Sequence, residues 1–145
     1  MDYAIIDLND VQIEEIDSLL EAYDNKHIQH KIDGSINIGV LHDGNLIAGV
    51  NGCMTAYKIF YVSTVFVDEK YRGQGIGREL MRTVEVRAAS LDANIIRLDT
   101  FNWQGLGFYL RLGYEQVGYY ESKEDGFSEH FLIKRLKREN NELES

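Results

Sequence analysis

The chain has no proline and a single cysteine, Cys53, among its 145 residues. Without proline no segment is held in polyproline II, and thirteen glycines lacking a three-residue period exclude a collagen-like architecture. A lone cysteine makes neither an intramolecular disulfide nor a Cys-based zinc site, so stability is left to packing and a reducing compartment is expected. Positive charge is also scarce: 15 Lys+Arg against 24 Asp+Glu leave a net charge of −9. Such a surface repels a phosphate backbone on average, which argues against nucleic acid as a partner; it draws cations weakly and aids solubility. No apolar run approaches the ~20 residues that span a bilayer. The start, MDYAIIDLND, is acidic and lacks the basic region and cleavage site of a signal peptide. A cytoplasmic protein with no membrane partner is the expectation.

What is present is globular. Hydrophobic residues make up 44% and charged residues 27%, enough apolar surface to offset the entropy of ordering the chain. The length fits one core, with a single domain over residues 1–136 and a charged tail, 137–145, that frays. Residues 3–8 read as a short strand. Asn9 and Gln12 form a capping-box pattern, and Ile13, Ile16, Leu20 and Tyr23 recur at helical spacing, which predicts a helix over 11–23. Asp43-Gly44 between two alternating apolar runs predicts a hairpin. The run FYVSTVFV (60–67) predicts a strand buried on both faces. A long amphipathic helix follows, carrying Ile76, Leu80, Met81, Val84, Ala88 and Leu91, then a strand over 95–98. A short helix over 107–112, closed by Gly113, leads into two final strands. The sum is an α/β chain with a mixed sheet, hairpins at both ends and a strand–helix–strand crossover between them.

The most informative stretch joins the third strand to the long helix: Val65-Phe66-Val67-Asp68-Glu69-Lys70-Tyr71-Arg72-Gly73-Gln74-Gly75-Ile76-Gly77-Arg78. Alternating glycines expose successive backbone N–H groups, the positive end of the helix dipole points at the turn, and Arg72 and Arg78 flank it. That is a recipe for holding phosphate or pyrophosphate. Neither the P-loop spacing nor the dinucleotide fingerprint fits these glycines. The plainer reading is a connecting turn, which the flanking arginines make the weaker one.

Arg72-Gly73-Gln74-Gly75-Ile76-Gly77 resembles the [RQ]-x-x-G-x-[GA] loop of the GNAT superfamily of acyl-CoA-dependent N-acyltransferases. Asn102 and the run Phe108-Tyr109-Leu110-Arg111-Leu112-Gly113-Tyr114-Glu115 are similar to that family's second element, in the same order. The resemblance implies a GNAT-like α+β mixed sheet of six to seven strands with a central splayed pair and about four helices. It further implies acetyl-CoA as cosubstrate and no metal. Val65, Phe66 and Val67 would pair with the pantetheine arm, and Arg72, Gly73, Gln74, Gly75, Ile76, Gly77 and Arg78 would cradle the pyrophosphate. Asn102 would hydrogen-bond the pantetheine, and Tyr109 would serve as general acid at the sulfur. One departure stands out: Gly105 occupies a place where the family often has alanine.

The base is less defined. Asp99, placed just after the 95–98 strand, is one candidate, and Glu69 is a second that also reads as a solvated loop residue. His27, His30, His42 and His130 read as surface or loop residues, His130 being the best placed of the four for proton transfer. His27 and His30 lack a third metal ligand. Cys53 has no base beside it and reads as a buried, inert thiol, which favours direct attack by an amine over an acyl-enzyme. The aromatics Tyr57, Phe60, Tyr61, Phe101, Trp103, Tyr119 and Tyr120 are core candidates, some of which would line a pocket for a cation. The leading expectation is an N-acetyltransferase acting on a primary amine of a small molecule or peptide. The competing readings are an inactive acyl-CoA-binding sensor and a scaffold that dimerises through a sheet edge; a homodimer is compatible with the first reading too.

Overall fold

The computed structural model describes residues 1–28 and 32–136; His30 and the tail 137–145 lie outside the described residues. Helix α1 (Asp10–Asp24) begins where its cap predicts. The Asn9 side chain accepts from the Gln12 N–H at 2.9 Å, and Gln12 Oε1 accepts from the Asn9 N–H at 3.1 Å. Residues 3–8, by contrast, form no strand. Their composition suits one, but a strand needs a neighbouring edge to take up its backbone hydrogen bonds, and no strand among the described residues pairs with them.

Strands β1 (Ser35–His42) and β2 (Asn45–Met54) form the predicted hairpin, with Asp43 and Gly44 at φ 51° and 78° as a type I′ turn requires. Strand β3 (Ile59–Val67) is antiparallel to β2. Helix α2 (Ile76–Ser90) then crosses to β4 (Ile95–Phe101), parallel to β3. After α3 (Leu106–Arg111), strands β5 (Glu115–Ser122) and β6 (Phe127–Arg135) close the sheet. The order β1-β2-β3-β4-β6-β5 leaves β1 and β5 at the edges. This is the mixed α+β architecture expected. Strand β4 runs three residues beyond its predicted end, so Asp99 lies within it rather than after it. No helix among the described residues is long and apolar enough to cross a membrane.

The core lies on one side of the sheet. Ile36, Val50, Phe60, Val62, Ile96, Leu98 and Leu132 pack with Leu80, Met81, Val84 and Ala88 of α2. A second layer of attachment ties α2 to the final hairpin: Lys134 Nζ donates to Glu85 Oε1 at 2.7 Å and to the Leu112 carbonyl at 2.8 Å, and the Tyr114 hydroxyl donates to Glu85 Oε2 at 3.3 Å. Burial and the Glu85 carboxylate push the Tyr114 phenol strongly up. The opposite face is exposed from strand to strand: Asn37 on β1, Asn51 and Cys53 on β2, Ser63 on β3, Arg97 and Asp99 on β4, and Phe131 on β6. Strand β3 is therefore buried on one face and not on both, because among the described residues no element packs over its second face. Cys53 is correspondingly exposed, not buried.

Candidate functional site

Strands β3 and β4 pair only at Ile59↔Ile95, Phe60↔Ile96 and Tyr61↔Arg97. Beyond that seam β3 stays bonded to β2 as far as Val67, and β4 to β6 as far as Phe101. The two strands therefore diverge, and the β4-facing backbone of residues 62–67 has no strand partner. An irregularity sits where the divergence begins: Gly52 opposes Val62 while Asn51 opposes Thr64, so Ser63 is an extra residue on β3. Such a bulge bends its strand and increases local twist. It lies four residues before Val67, the end of the strand.

The glycine-rich turn closes the wide end of this gap. A 3-10 turn, Glu69–Tyr71, is capped by the Asp68 side chain accepting from the Lys70 N–H at 3.0 Å, and Arg72 Nε donates to the Val67 carbonyl at 2.8 Å. Arg72 thus pins the loop to the end of β3 through one of its donors. Gly73 and Gly75 take φ 80° and 86°, and a Cβ built on either meets nothing within 4 Å. Gly75 is the N-cap of α2 and no side chain caps that helix. Its first-turn N–H groups and the two glycines border open space, with the Arg72 and Arg78 side chains exposed alongside.

Tyr109 enters from α3 and is 8% exposed, its ring edge-on to Phe108 and Tyr114. Burial pushes its phenol up to about 12. A Cβ at residue 105 would stand 3.2 Å from Tyr109 Cε2, so glycine at that place lets the ring approach the backbone. Thr100 Oγ1 accepts from the Gly105 N–H at 3.3 Å and sets the start of the helix.

Asp99 projects from the other face of β4, the one away from α2, as the alternating burial along the strand shows. The Tyr61 hydroxyl donates to Asp99 Oδ2 at 3.3 Å, and the Arg97 guanidinium lies 4.4 Å from the Tyr61 ring centroid. Burial, then the Asp99 charge, raises the Tyr61 phenol. Across β6 the Tyr120 hydroxyl donates to Glu129, which raises that phenol in turn. The structure thus separates Tyr109 and Asp99 onto opposite faces of the diverging strands.

Residues 4–114 match the acetyltransferase (GNAT) family. The chain belongs to that family. It is 30% identical over 137 residues to acetyltransferase Atu2258 of Agrobacterium fabrum (strain C58), covering 94% of this chain and all of that one. Blasticidin-S acetyltransferase of Streptomyces morookaense is 31% identical over 94 residues, 64% of this chain and 68% of its own. Among solved structures, an acetyltransferase from Bacillus cereus ATCC 14579 superposes with a TM-score of 0.85 at 27% identity, covering 92% of this chain and 98% of its own. That overlap reaches into the N-terminal arm, since residues 29–145 make up only about four-fifths of the length.

In this GNAT chain the remaining candidates fall as follows. Asn102 is tied to the start of β6, its side-chain oxygen accepting from the Ser128 N–H at 2.9 Å. Glu69, His27 and His42 are exposed. His130 is not the surface residue its position suggests: it is buried, stacked on Tyr119, and held by Gln116 at Nδ1 (2.6 Å) and Ser128 at Nε2 (2.7 Å). Of the aromatics only Phe60 belongs to the core; Tyr57, Trp103, Tyr119 and Tyr120 are exposed. Sequence reasoning passed over Glu129, Gln116 and Ser128, and gave Tyr61 no polar role. The available signal was the period-two alternation of Arg97 and Asp99, which puts both on one face once 95–101 is one strand.

Proposed function

We propose that this acetyltransferase takes acetyl-CoA and a primary amine into one ternary complex, in which the amine attacks directly. The observation that carries the reading is the open seam between β3 and β4, with Tyr109 at one face and the Tyr61–Asp99 pair at the other. The residues fit the coenzyme: the cradle at Gly73 and Gly75 is free of any atom a Cβ would strike, and uncapped N–H groups of α2 adjoin it. Residues 72–78 would hold the pyrophosphate. Backbone groups of Val65, Phe66 and Val67 that face the gap would hold the pantetheine, with the side-chain NH2 of Asn102 beside it. A Bacillus anthracis acetyltransferase of the same fold (TM-score 0.63, 19% identical) was solved in complex with acetyl coenzyme A, which supports this cosubstrate. Once bound, the coenzyme supplies the acetyl group as a reactive thioester.

The chain's own groups do the rest. Unpaired N–H groups near the Ser63 bulge would donate to the carbonyl oxygen as negative charge gathers there. Tyr109 Oη would donate its proton, as a hydrogen bond, to the departing thiolate. With its pKa raised to about 12 the phenol stays protonated throughout the working range. Asp99 would accept the proton of the incoming ammonium, directly or through the Tyr61 hydroxyl. The surrounding carboxylates and rings (Asp99, Glu129, Tyr61, Tyr120) suit a cationic acceptor. A thiol-release assay over polyamines, amino acids, aminoglycosides and peptide N-termini tests this. Release of thiol with at least one amine is the expected result. Calorimetric binding of acetyl-CoA with no release from any amine overturns the enzymatic reading in favour of a coenzyme-binding sensor.

A further inference from the structure

The chain exposes two surfaces that need covering. Helix α1 carries Ile13, Ile16, Leu20 and Tyr23 along one stripe, and none of its residues is buried. Ile16 is 54% exposed and Ile5, in the segment before the helix, 93%. A 15-residue helix is marginal in water without packing on its apolar side. Meanwhile the sheet face opposite α2 lies open, and the outer edge of β1 presents unpaired backbone groups.

We propose that two copies of the chain exchange these arms: residues 3–8 of each copy extend the other's sheet at the β1 edge, and α1 covers the other's open face. A second copy, rather than the chain's own arm, is the occupant for three reasons. The C-terminal half of α1, from Asp17 on, borders its own chain at the corner formed by Met54, Thr55 and Ala56, yet no residue of the helix is buried against its own sheet. The overlap with the Bacillus cereus structure extends into this arm, so a related chain carries it in a comparable position. The area is also sufficient. Two aromatic side chains and about six aliphatic ones per arm cover roughly 1,000 Å², and two arms roughly 2,000 Å², within the range of specific stable interfaces. One consequence rests on the acetyl-transfer reading above. The face bearing Tyr61 and Asp99 is roofed by the partner's helix, so each acceptor site is completed by a second chain.

Light scattering on the purified chain should give twice the 16.7 kDa chain mass. In dimers mixed from isotope-labelled and unlabelled copies, filtered NOEs should connect methyls of Ile13 and Ile16 in one chain with the rings of Tyr61 and Phe131 in the other. A monomer, or a dimer whose α1 contacts lie within one chain, overturns the exchange. The Ile13→Glu/Ile16→Glu double variant should weaken dimerisation at least tenfold and raise the amine KM, with acetyl-CoA affinity unchanged because the coenzyme cradle lies on the other side. Loss of coenzyme binding in the native dimer would sink the functional reading and leave the exchange standing.

Discussion

Replacing Tyr109 with Phe deletes one hydroxyl and leaves the ring edges against Phe108 and Tyr114 in place. The size of the effect follows from the phenol's environment. Burial lifts it to about 12, whereas a coenzyme thiol resembling cysteine sits near ~8.5. Full proton transfer from phenol to thiolate is therefore uphill by about three to four units, so in the proposed reaction Tyr109 would act mainly as a hydrogen-bond donor to a developing charge. A hydrogen bond to a charged group is worth about 1.5–3 kcal/mol, which converts to a kcat loss of roughly 10- to 150-fold. Steady-state thiol release should show that loss, while calorimetry shows acetyl-CoA affinity within about twofold of the parent. Among the described residues nothing hydrogen-bonds this hydroxyl, so folding stability should hold or rise slightly. The rate of the native enzyme should also show no decline attributable to Tyr109 between pH 7 and about 10. An unchanged kcat in the variant refutes the assignment, whatever the affinity does.

Asp99→Asn removes the carboxylate that accepts from Tyr61. The amine kcat/KM should fall by about 100-fold or more, the low end of general-base contributions, with coenzyme affinity retained in calorimetry. Gly75→Val forces a β-branched residue into φ 86° and fills the cradle; strain costs about 1–2 kcal/mol, and acetyl-CoA binding should fall below detection while circular dichroism stays native. Lys134→Met takes the cation from the largely buried Glu85 carboxylate, leaving it the Tyr114 hydroxyl, and should cost about 1–3 kcal/mol in urea unfolding, reduced from the fully buried case by partial solvation. Alkaline pH should destabilise the fold through Tyr109. Its folded pKa exceeds its unfolded value, so its contribution is intact below about 10. From there stability drops by about 1.4 kcal/mol per pH unit up to about 12. Urea midpoints at pH 9 and 11 measure the drop, which Tyr109→Phe should lessen.

Periodicity and capping located α1, the β1–β2 hairpin, the crossover and the final hairpin, because those features are written locally: Asn9 with Gln12, Asp43 with Gly44, the apolar stripe of α2. The open turn at Gly73 and Gly75 was legible for the same reason. What escaped was set by pairing across the sheet. Residues 3–8 have strand composition yet no partner edge. The apolar run in β3 reads as doubly buried, yet its second face is open. His130 becomes a buried, doubly hydrogen-bonded ring only because β5 and β6 bring Gln116 and Ser128 to it. Asp99 was named as a base without its Tyr61 partner, 38 residues away in sequence, since their contact depends on the parallel register of β3 and β4.

That register has a mechanical consequence. Among the described residues three pairs make up the ladder joining the β1–β2–β3 half of the sheet to the β4–β6–β5 half, so backbone bonding is thinnest at the centre of the sheet and the halves are held together there chiefly by side-chain packing under α2. Thermal breathing should concentrate there, and amides along residues 62–67 should exchange with solvent faster than those of β2 or β6. A ligand bridging the two halves would act as a clasp, slowing that exchange and making the protein harder to melt in proportion to the logarithm of its concentration.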